Sequence, residues 1–188
     1  GKPLIAHEQE YCGDCSRKTH VFRKGRAAFV YDETMRRSIA RFKYDGRQEY
    51  AEFYADEILK TCAREVLRWK AEALIPIPLH PARRRKRGYN QAELLAKELS
   101  IRSGIPMDPK LLIRTKNTRA QKELSDQERK ANLRHAFSVR EKRIPYKNII
   151  LVDDIYTTGS TMDEAAAVLK ECGAEMIYFL CISVGRGS

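Results

Sequence analysis

A continuous apolar run near the C-terminus constrains the fold more than any other part of the chain. Residues 146–154 read YKNIILVDD, so four consecutive apolar residues stand directly before two aspartates. A strand with one solvated face alternates apolar and polar residues, whereas a run without alternation indicates a strand covered on both faces. Such strands belong to parallel sheets with helices on each side, so α/β is the predicted fold class.

Strand and helix patterns alternate along the rest of the chain, as expected for a mainly parallel, twisted sheet flanked by helices. We predict strands over residues 26–32, 71–80, 110–115, 146–154 and 174–184, and helices over residues 33–46, 48–70, 90–104 and 160–173. Residues 116–137 are predicted to open as a polar loop and to become helical near Ser125, and PARRRKR (81–87) is predicted to be a basic loop.

Length and charge limit the organisation and the ligands. The 188 residues suffice for one domain, and we expect a small appendage over residues 1–25 and a main domain over residues 26–188. No run approaches the roughly 18 to 20 apolar residues of a membrane helix, and the polar start lacks a signal-peptide core, so we expect no membrane insertion and a cytoplasmic location. The net charge of +11 favours anions, either phosphorylated metabolites or a nucleic-acid backbone.

The first two cysteines stand in a CxxC pattern. Cys12 and Cys15 have the spacing of half a tetrahedral zinc site, which predicts a small N-terminal remnant similar to a zinc knuckle. His7 or His20 could complete the coordination, but two reduced, unligated thiols are the simpler interpretation. We expect structural Zn²⁺ only in a longer chain that carries a second pair.

The residues after the apolar run combine acidic and anion-binding groups. Asp153 and Asp154 stand at the predicted strand end, and the turn TTGST (157–161) supplies hydroxyls, backbone N–H groups and the start of a helix. Carboxylates accept hydrogen bonds from sugar hydroxyls and hold Mg²⁺ through water, while the turn suits a phosphate. A phosphorylated sugar satisfies both needs, whereas the simpler alternative is an ordinary strand, turn and helix with solvated acids.

The string IILVDDIYTTGST (149–161) resembles the phosphoribosyl pyrophosphate (PRPP) motif of type I phosphoribosyltransferases. The resemblance implies that fold, and it implies that Asp153 and Asp154 face the ribose hydroxyls and Mg²⁺. It also implies that the 5′-phosphate is bound by Thr157, Thr158, Gly159, Ser160 and Thr161.

A second segment, IPIPLHPARRRKRGYNQAELLA (75–96), resembles the pyrophosphate-loop region of the ComF family. We assign the matching residues to the pyrophosphate loop: Pro78, Leu79, His80, Arg83 and Arg87. The match to the family continues through RGYNQ (87–91). A third segment, which begins at RTKN, also resembles the family. Its polar residues, with Lys116, Thr118 and Gln121 as candidates, are typical of a loop that closes over substrate, and solvated charges are the simpler alternative. The family is linked to natural competence and DNA uptake, so the resemblance implies a PRPP site more firmly than a reaction.

Three functions therefore stay open. The first is a PRPP-binding phosphoribosyltransferase that acts in competence or in nucleotide-related metabolism and whose acceptor the sequence does not identify. The second is a DNA-handling accessory protein that contacts single-stranded DNA through its basic face, with PRPP or a nucleotide as regulatory ligand. The third is a regulator that acts with a partner such as a helicase-like competence protein. The basic run 82–87 also has a simpler interpretation as a solvated surface.

Overall fold

A computed structural model describes residues 19–116 and 136–185. In chain order the elements are β1 (Lys24–Val30), α1 (Glu33–Tyr44), α2 (Tyr50–Trp69), β2 (Ala73–Pro76), α3 (Pro81–Arg87), α4 (Gln91–Ser103), β3 (Leu112–Arg114), β4 (Phe137–Val139), β5 (Asn148–Tyr156), α5 (Ser160–Glu171) and β6 (Met176–Val184).

Four parallel strands form the central sheet in the order β1-β6-β5-β2. The apolar run lies in β5, which pairs on one side with β2 and on the other with β6. Beyond β2, Met107 forms an isolated parallel bridge with Leu74. The predicted α/β class with a mainly parallel sheet is therefore confirmed.

Helices cover both faces of this sheet, because successive side chains of a buried strand point to opposite sides. Ile150 and Val152 of β5 pack with α1, α2 and α4. Ile149 and Leu151 pack on the other face with α5 and with β3 and β4. Each residue of the apolar run thus belongs to one of two cores, which explains why the run has no polar alternation.

Two short strands form a separate ribbon. β3 was predicted, but it pairs antiparallel with β4 in a two-stranded sheet and does not join the main sheet. β4 was missed, because three residues after a long polar segment carry no measurable period. The Thr115 amide donates to the Ala136 carbonyl at 2.9 Å, so the ends of the intervening segment lie together. The predicted helix near Ser125 lies outside the described residues.

The prediction of a basic loop at 81–87 is wrong, because these residues form α3. Pro81 occupies the first turn, where its missing N–H costs nothing. His80 caps the start through its side chain, and Gly88 ends the helix in the left-handed region at φ 87°. The sequence therefore contained signals for both the start and the end of this helix. The loop prediction gave more weight to the proline and to the density of charged residues.

The chain before β1 packs on the sheet. Phe22 is buried in one core, and the Arg23 amide donates to the Ile177 carbonyl at 2.7 Å. Residues 12–15, with the CxxC, lie outside the described ranges, so the division at residue 25 and the zinc remnant stay predictions. Within the described ranges, no helix is both long and apolar enough to cross a membrane.

Gly25 of β1 provides a test of sheet packing. A Cβ at this position would lie 2.1 Å from the ring of Phe179, which is itself buried in the core. We expect Gly25→Ala to lower the free energy of unfolding by about 2 kcal/mol through overpacking. Gly185→Ala is the matched control, because its nearest contact would be an ordinary 3.7 Å. Urea unfolding of both variants measures the difference, and equal losses would contradict this packing.

Candidate functional site

The carboxyl ends of β2 and β5 define a crevice. The chain leaves β2 towards α4, which packs on one face of the sheet, and leaves β5 towards α5, which packs on the other. Adjacent parallel strands whose connections leave on opposite faces form a topological switch point, where α/β proteins bind ligands. The predicted residues Pro78 to His80 and Asp153 to Thr161 follow or end these two strands.

The two aspartates occupy different environments although they are neighbours in β5. Asp154 is 6% exposed and forms an ion pair with Lys43 at the end of α1. Its other oxygen, Oδ1, accepts from the Gln91 amide of α4 at 3.0 Å. Asp153 is only partly buried and accepts from the Asp154 backbone amide at 2.8 Å. Strand alternation directs Asp153 towards the face that carries α5 and the β3–β4 ribbon.

The protonation of the pair follows from these partners. Burial, followed by the charge of Asp154, raises the pKa of Asp153 well above the ordinary carboxyl value. Burial also opposes ionisation of Asp154, but the Lys43 ammonium and hydrogen bonds, including that from Gln91, lower the pKa of this carboxyl. Compared with ordinary carboxyls, Asp153 therefore holds its proton more readily, and Asp154 more readily carries the negative charge.

The RGYNQ segment holds the Asp154 side of the site in place. Arg87 donates to Gln91 Oε1, and Gln91 in turn donates to Asp154. Asn90 caps α4 by accepting from the Ala92 amide at 3.2 Å, and its amide donates to the Ile77 carbonyl after β2 at 3.0 Å. The segment thus ties α3, α4 and β2 to the aspartate pair.

The turn before α5 has the features expected of a phosphate site. Gly159 takes φ 82°, and no side chain caps the helix. The Thr158 and Ser160 hydroxyls lie 3.0 Å apart, while Thr157 and Thr161 are partly buried on either side. An added Cβ at Gly159 would lie 2.8 Å from the Tyr156 hydroxyl, so glycine is required by both space and conformation.

The predicted pyrophosphate-loop residues divide into two groups. Pro78, Leu79 and His80 form the partly buried connection from β2 to α3. His80 Nδ1 accepts from the Ala82 amide at 3.3 Å, so this imidazole serves as a helix cap. Arg83 and Arg87 are partly buried on α3, whereas the residues between them are exposed. This agrees with an ordered Arg87 in a largely solvated basic run.

Sequence reasoning missed Arg114, which is partly buried at the end of β3 with its guanidinium 5.3 Å from the centre of the Phe137 ring. Burial, followed by the positive charge of Arg83, lowers the pKa of Arg114 to about 10, while Asp153 opposes this shift. Arg114 therefore lies within electrostatic range of both Arg83 and Asp153. A charge ending an otherwise apolar strand, KLLIRT, was the available signal.

Lys43 was also missed. Its only signal was a position in the last turn of a helix, where cations are generally favoured. The ion-pair partner of Lys43, Asp154, lies more than a hundred residues later in the sequence, so no local pattern links the two residues.

The remaining predicted residues are less informative. Lys116 is exposed just after β3, whereas Thr118 and Gln121 lie outside the described residues, as do Cys12 and Cys15.

Within the described residues there is no group of three or more His, Cys, Asp or Glu side chains placed to hold a metal ion. Mg²⁺ is usually held in proteins by one or two carboxylates together with substrate phosphates, so Asp153 fits an ion that arrives with its ligand.

Comparisons with known proteins agree with this geometry. The family model described as "Phosphoribosyl transferase domain" matches residues 56–187, which include the described parts of the crevice, so the chain belongs to the phosphoribosyltransferase domain family. Within it, the chain belongs to the ComF family, and that predicted resemblance is confirmed.

The relatives are similar over most of their length. Competence protein F of Haemophilus influenzae is 36% identical, with 92% of this chain and 78% of that protein covered. Competence protein ComFC of Bacillus subtilis is 32% identical, with 92% and 70% covered. DNA utilization protein YhgH of Salmonella typhimurium is 29% identical, with 94% and 79% covered. A purine phosphoribosyltransferase structure from Pyrococcus horikoshii aligns at 16% identity with a TM-score of 0.44, covering 70% of this chain and 73% of that one.

The two aspartates should affect stability in opposite directions. As pH rises past the ordinary carboxyl pKa of 3.8, the unfolded chain releases the Asp153 proton while the folded protein retains it, so this group lowers the free energy of unfolding. We expect Asp153→Asn to be more stable than wild type at about pH 7.5, with the difference shrinking towards about pH 4.

Asp154→Asn should instead destabilise the protein by about 3 kcal/mol at neutral pH, because it leaves the Lys43 ammonium without its anion. The lowered pKa of Asp154 means that this loss should decline as pH falls below the ordinary carboxyl pKa. Urea unfolding across the pH range measures both effects, and shifts of the same sign at neutral pH would contradict the assigned protonation.

Proposed function

We propose that the protein binds PRPP with Mg²⁺ in the crevice between β2 and β5 and transfers its phosphoribosyl group to an acceptor. The observation that carries this proposal is that one switch point brings together a helix start without a side-chain cap and the carboxyl of Asp153, whose charge acts on Arg114. An anion, a hydroxylated sugar and a second anion each find complementary groups there.

The proposed ligand spans the crevice. Its 5′-phosphate lies on the turn 157–161, where backbone N–H groups and the α5 dipole favour an anion. Asp153 faces the ribose hydroxyls, and its partial exposure leaves it accessible, whereas both oxygens of Asp154 already have partners in α1 and α4. Asp154 therefore shapes the site, although a contribution to ribose binding stays a prediction from the family resemblance.

The pyrophosphate end lies towards α3 and the ribbon. Arg83 and Arg114 supply positive charge there, and the connection from Pro78 to His80 supplies backbone donors. Because the C1 carbon becomes positively charged as pyrophosphate leaves, catalysis consists mainly of positioning and of stabilising the leaving group. Mg²⁺, when bound with the ligand and held through Asp153, would neutralise phosphate charge.

The proposed reaction or binding event serves natural competence and DNA uptake, and the similarity to competence protein F, ComFC and the DNA utilization protein YhgH supports this role. A helicase-like competence protein as partner is part of the same proposal.

Calorimetric titration with PRPP and Mg²⁺ tests the site. We expect Gly159→Ala to weaken binding at least about tenfold, because the new Cβ collides with Tyr156 at the turn. Gly104→Ala is the matched control: Gly104 also has positive φ, at 74°, but nothing lies within 4 Å of an added Cβ. Both variants incur a backbone penalty of about 1 kcal/mol, so a loss of ligand affinity confined to Gly159→Ala reports the collision at the turn.

Wild-type protein that shows no heat of binding at millimolar PRPP would overturn the proposal. If binding occurs, pyrophosphate release in a screen of nitrogen-containing acceptors distinguishes the transferase from a protein that only senses PRPP.

A second candidate function, contact with single-stranded DNA, is favoured by one surface. Arg84, Arg85 and Lys86 of α3 are exposed, which suits a phosphate backbone. Next to them, Tyr44 is 67% exposed, and the Arg87 guanidinium lies 5.0 Å from its ring centroid. An exposed ring beside cations can stack on a base, so the surface has both parts of a single-strand binding site. PRPP would then act as a regulatory ligand.

Fluorescence anisotropy with an oligothymidine and an abasic strand of equal length tests this surface. We expect Tyr44→Ala to weaken oligothymidine binding about tenfold and Tyr44→Phe to preserve it, with little effect of either variant on the abasic strand. Phe53→Ala is the control for loss of an exposed aromatic ring, since Phe53 is 55% exposed on α2. Equal affinity of wild type for the two strands would refute base stacking.

A further inference from the structure

The segment before β1 is attached to the first turn of α5. His20 Nδ1 lies 2.8 Å from Asp163 Oδ2, and the Val21 amide donates to the other oxygen, Oδ1, at 2.9 Å. Both oxygens of this carboxylate are therefore engaged by a segment that is distant in sequence. Asp163 belongs to the helix whose N-terminus carries the turn 157–161.

The His20 ring packs directly against that turn. Its side chain is 6% exposed and stacks on Phe22 with ring centroids 4.6 Å apart. The ring atom nearest Gly159 is Cε1, the carbon between the two nitrogens, which would lie 3.0 Å from an added Cβ. The nitrogen-bearing edge of the ring thus faces the turn.

The second ring nitrogen of His20 has no polar atom to bind among the described residues. Nε2 is buried without a hydrogen-bond partner among the described residues, while Nδ1 is engaged by Asp163. A buried polar atom without a partner costs free energy, so its retention beside the turn requires an explanation. Together with the absence of a side-chain cap on α5, it points to a polar ligand at this turn.

Asp163 would oppose an anionic ligand if it were left alone. Helical side chains point back towards the N-terminus, which directs this carboxylate over the turn. A negative charge there is attracted by the same N–H groups and the same dipole that a phosphate would use. The carboxylate and a phosphate are therefore competitors for one helix start.

We propose that His20 is a positioning residue for the phosphate turn, which holds the Asp163 carboxylate beside the Val21 amide and so keeps the helix start available to a phosphate monoester. This inference rests on the proposed function, since it takes the 5′-phosphate as the ligand of the turn. It adds a role for the segment before β1, which the sequence motifs do not include.

Calorimetry with ribose 5-phosphate on wild type, His20→Ala, Asp163→Ala and the double variant tests the competition. We expect His20→Ala to weaken binding about tenfold, because the carboxylate is released towards the turn. Asp163→Ala should bind at least as well as wild type. The double variant should recover most of the affinity lost in His20→Ala, because removing the carboxylate makes its anchor unnecessary. His20→Asn should stay within about threefold of wild type, since an amide can donate to Asp163 as Nδ1 does.

Two controls separate this role from a loss of folding. Pyrophosphate, which occupies the other end of the proposed site, should bind all four proteins within about twofold. Arg26→Ala removes a different contact of the N-terminal region, the 3.2 Å pair with Glu65, and should not affect ribose 5-phosphate affinity.

The outcomes are distinct. A double variant that binds ribose 5-phosphate no more tightly than His20→Ala, or a His20→Ala protein with unchanged affinity, would refute the role of His20 as the anchor of Asp163 and leave the proposed function intact. Wild-type protein that binds no ribose 5-phosphate would refute both.

Discussion

The buried carboxylate of Asp154 determines how the rest of the crevice is arranged. A charge that is 6% exposed must be matched by partners, because its desolvation is otherwise prohibitive. Lys43 brings the end of α1 to β5, and Gln91 brings the start of α4. Arg87 then binds Gln91, which fixes the end of α3. One carboxylate therefore connects four elements at the switch point of the sheet.

This use of Asp154 gives its neighbour a different role. Strand alternation turns Asp153 to the opposite face, where it is partly exposed and lies within the electrostatic range of Arg114. The raised pKa of Asp153 and the lowered pKa of Asp154 favour the negative charge on Asp154, which reduces the repulsion between two adjacent acids. Identical residues thus differ in function because their environments differ, and the residue that lowers stability is the one available to a ligand.

The sequence predicted local features well and long-range partners poorly. β5, the turn and α5 were predictable because their apolar run, glycine and helix pattern are contiguous. Lys43 and Arg114 were not, because a buried acid selects its cation by proximity in the folded chain. α3 was missed although its start and end signals, Pro81 and Gly88, were visible, and β4 was missed because three residues carry too little pattern.

The ends of the helices provide an independent argument for an anion at the crevice. Asp32, His80 and Asn90 each accept a backbone N–H and so cap α1, α3 and α4. α2 lacks a side-chain cap, but its first amides donate to backbone carbonyls of residues 47–49. α5 begins at Gly159 without a side-chain cap, although such a cap contributes about 1 kcal/mol. That stabilisation is forgone at the helix start that opens beside Asp153, where a bound phosphate would supply the missing acceptor.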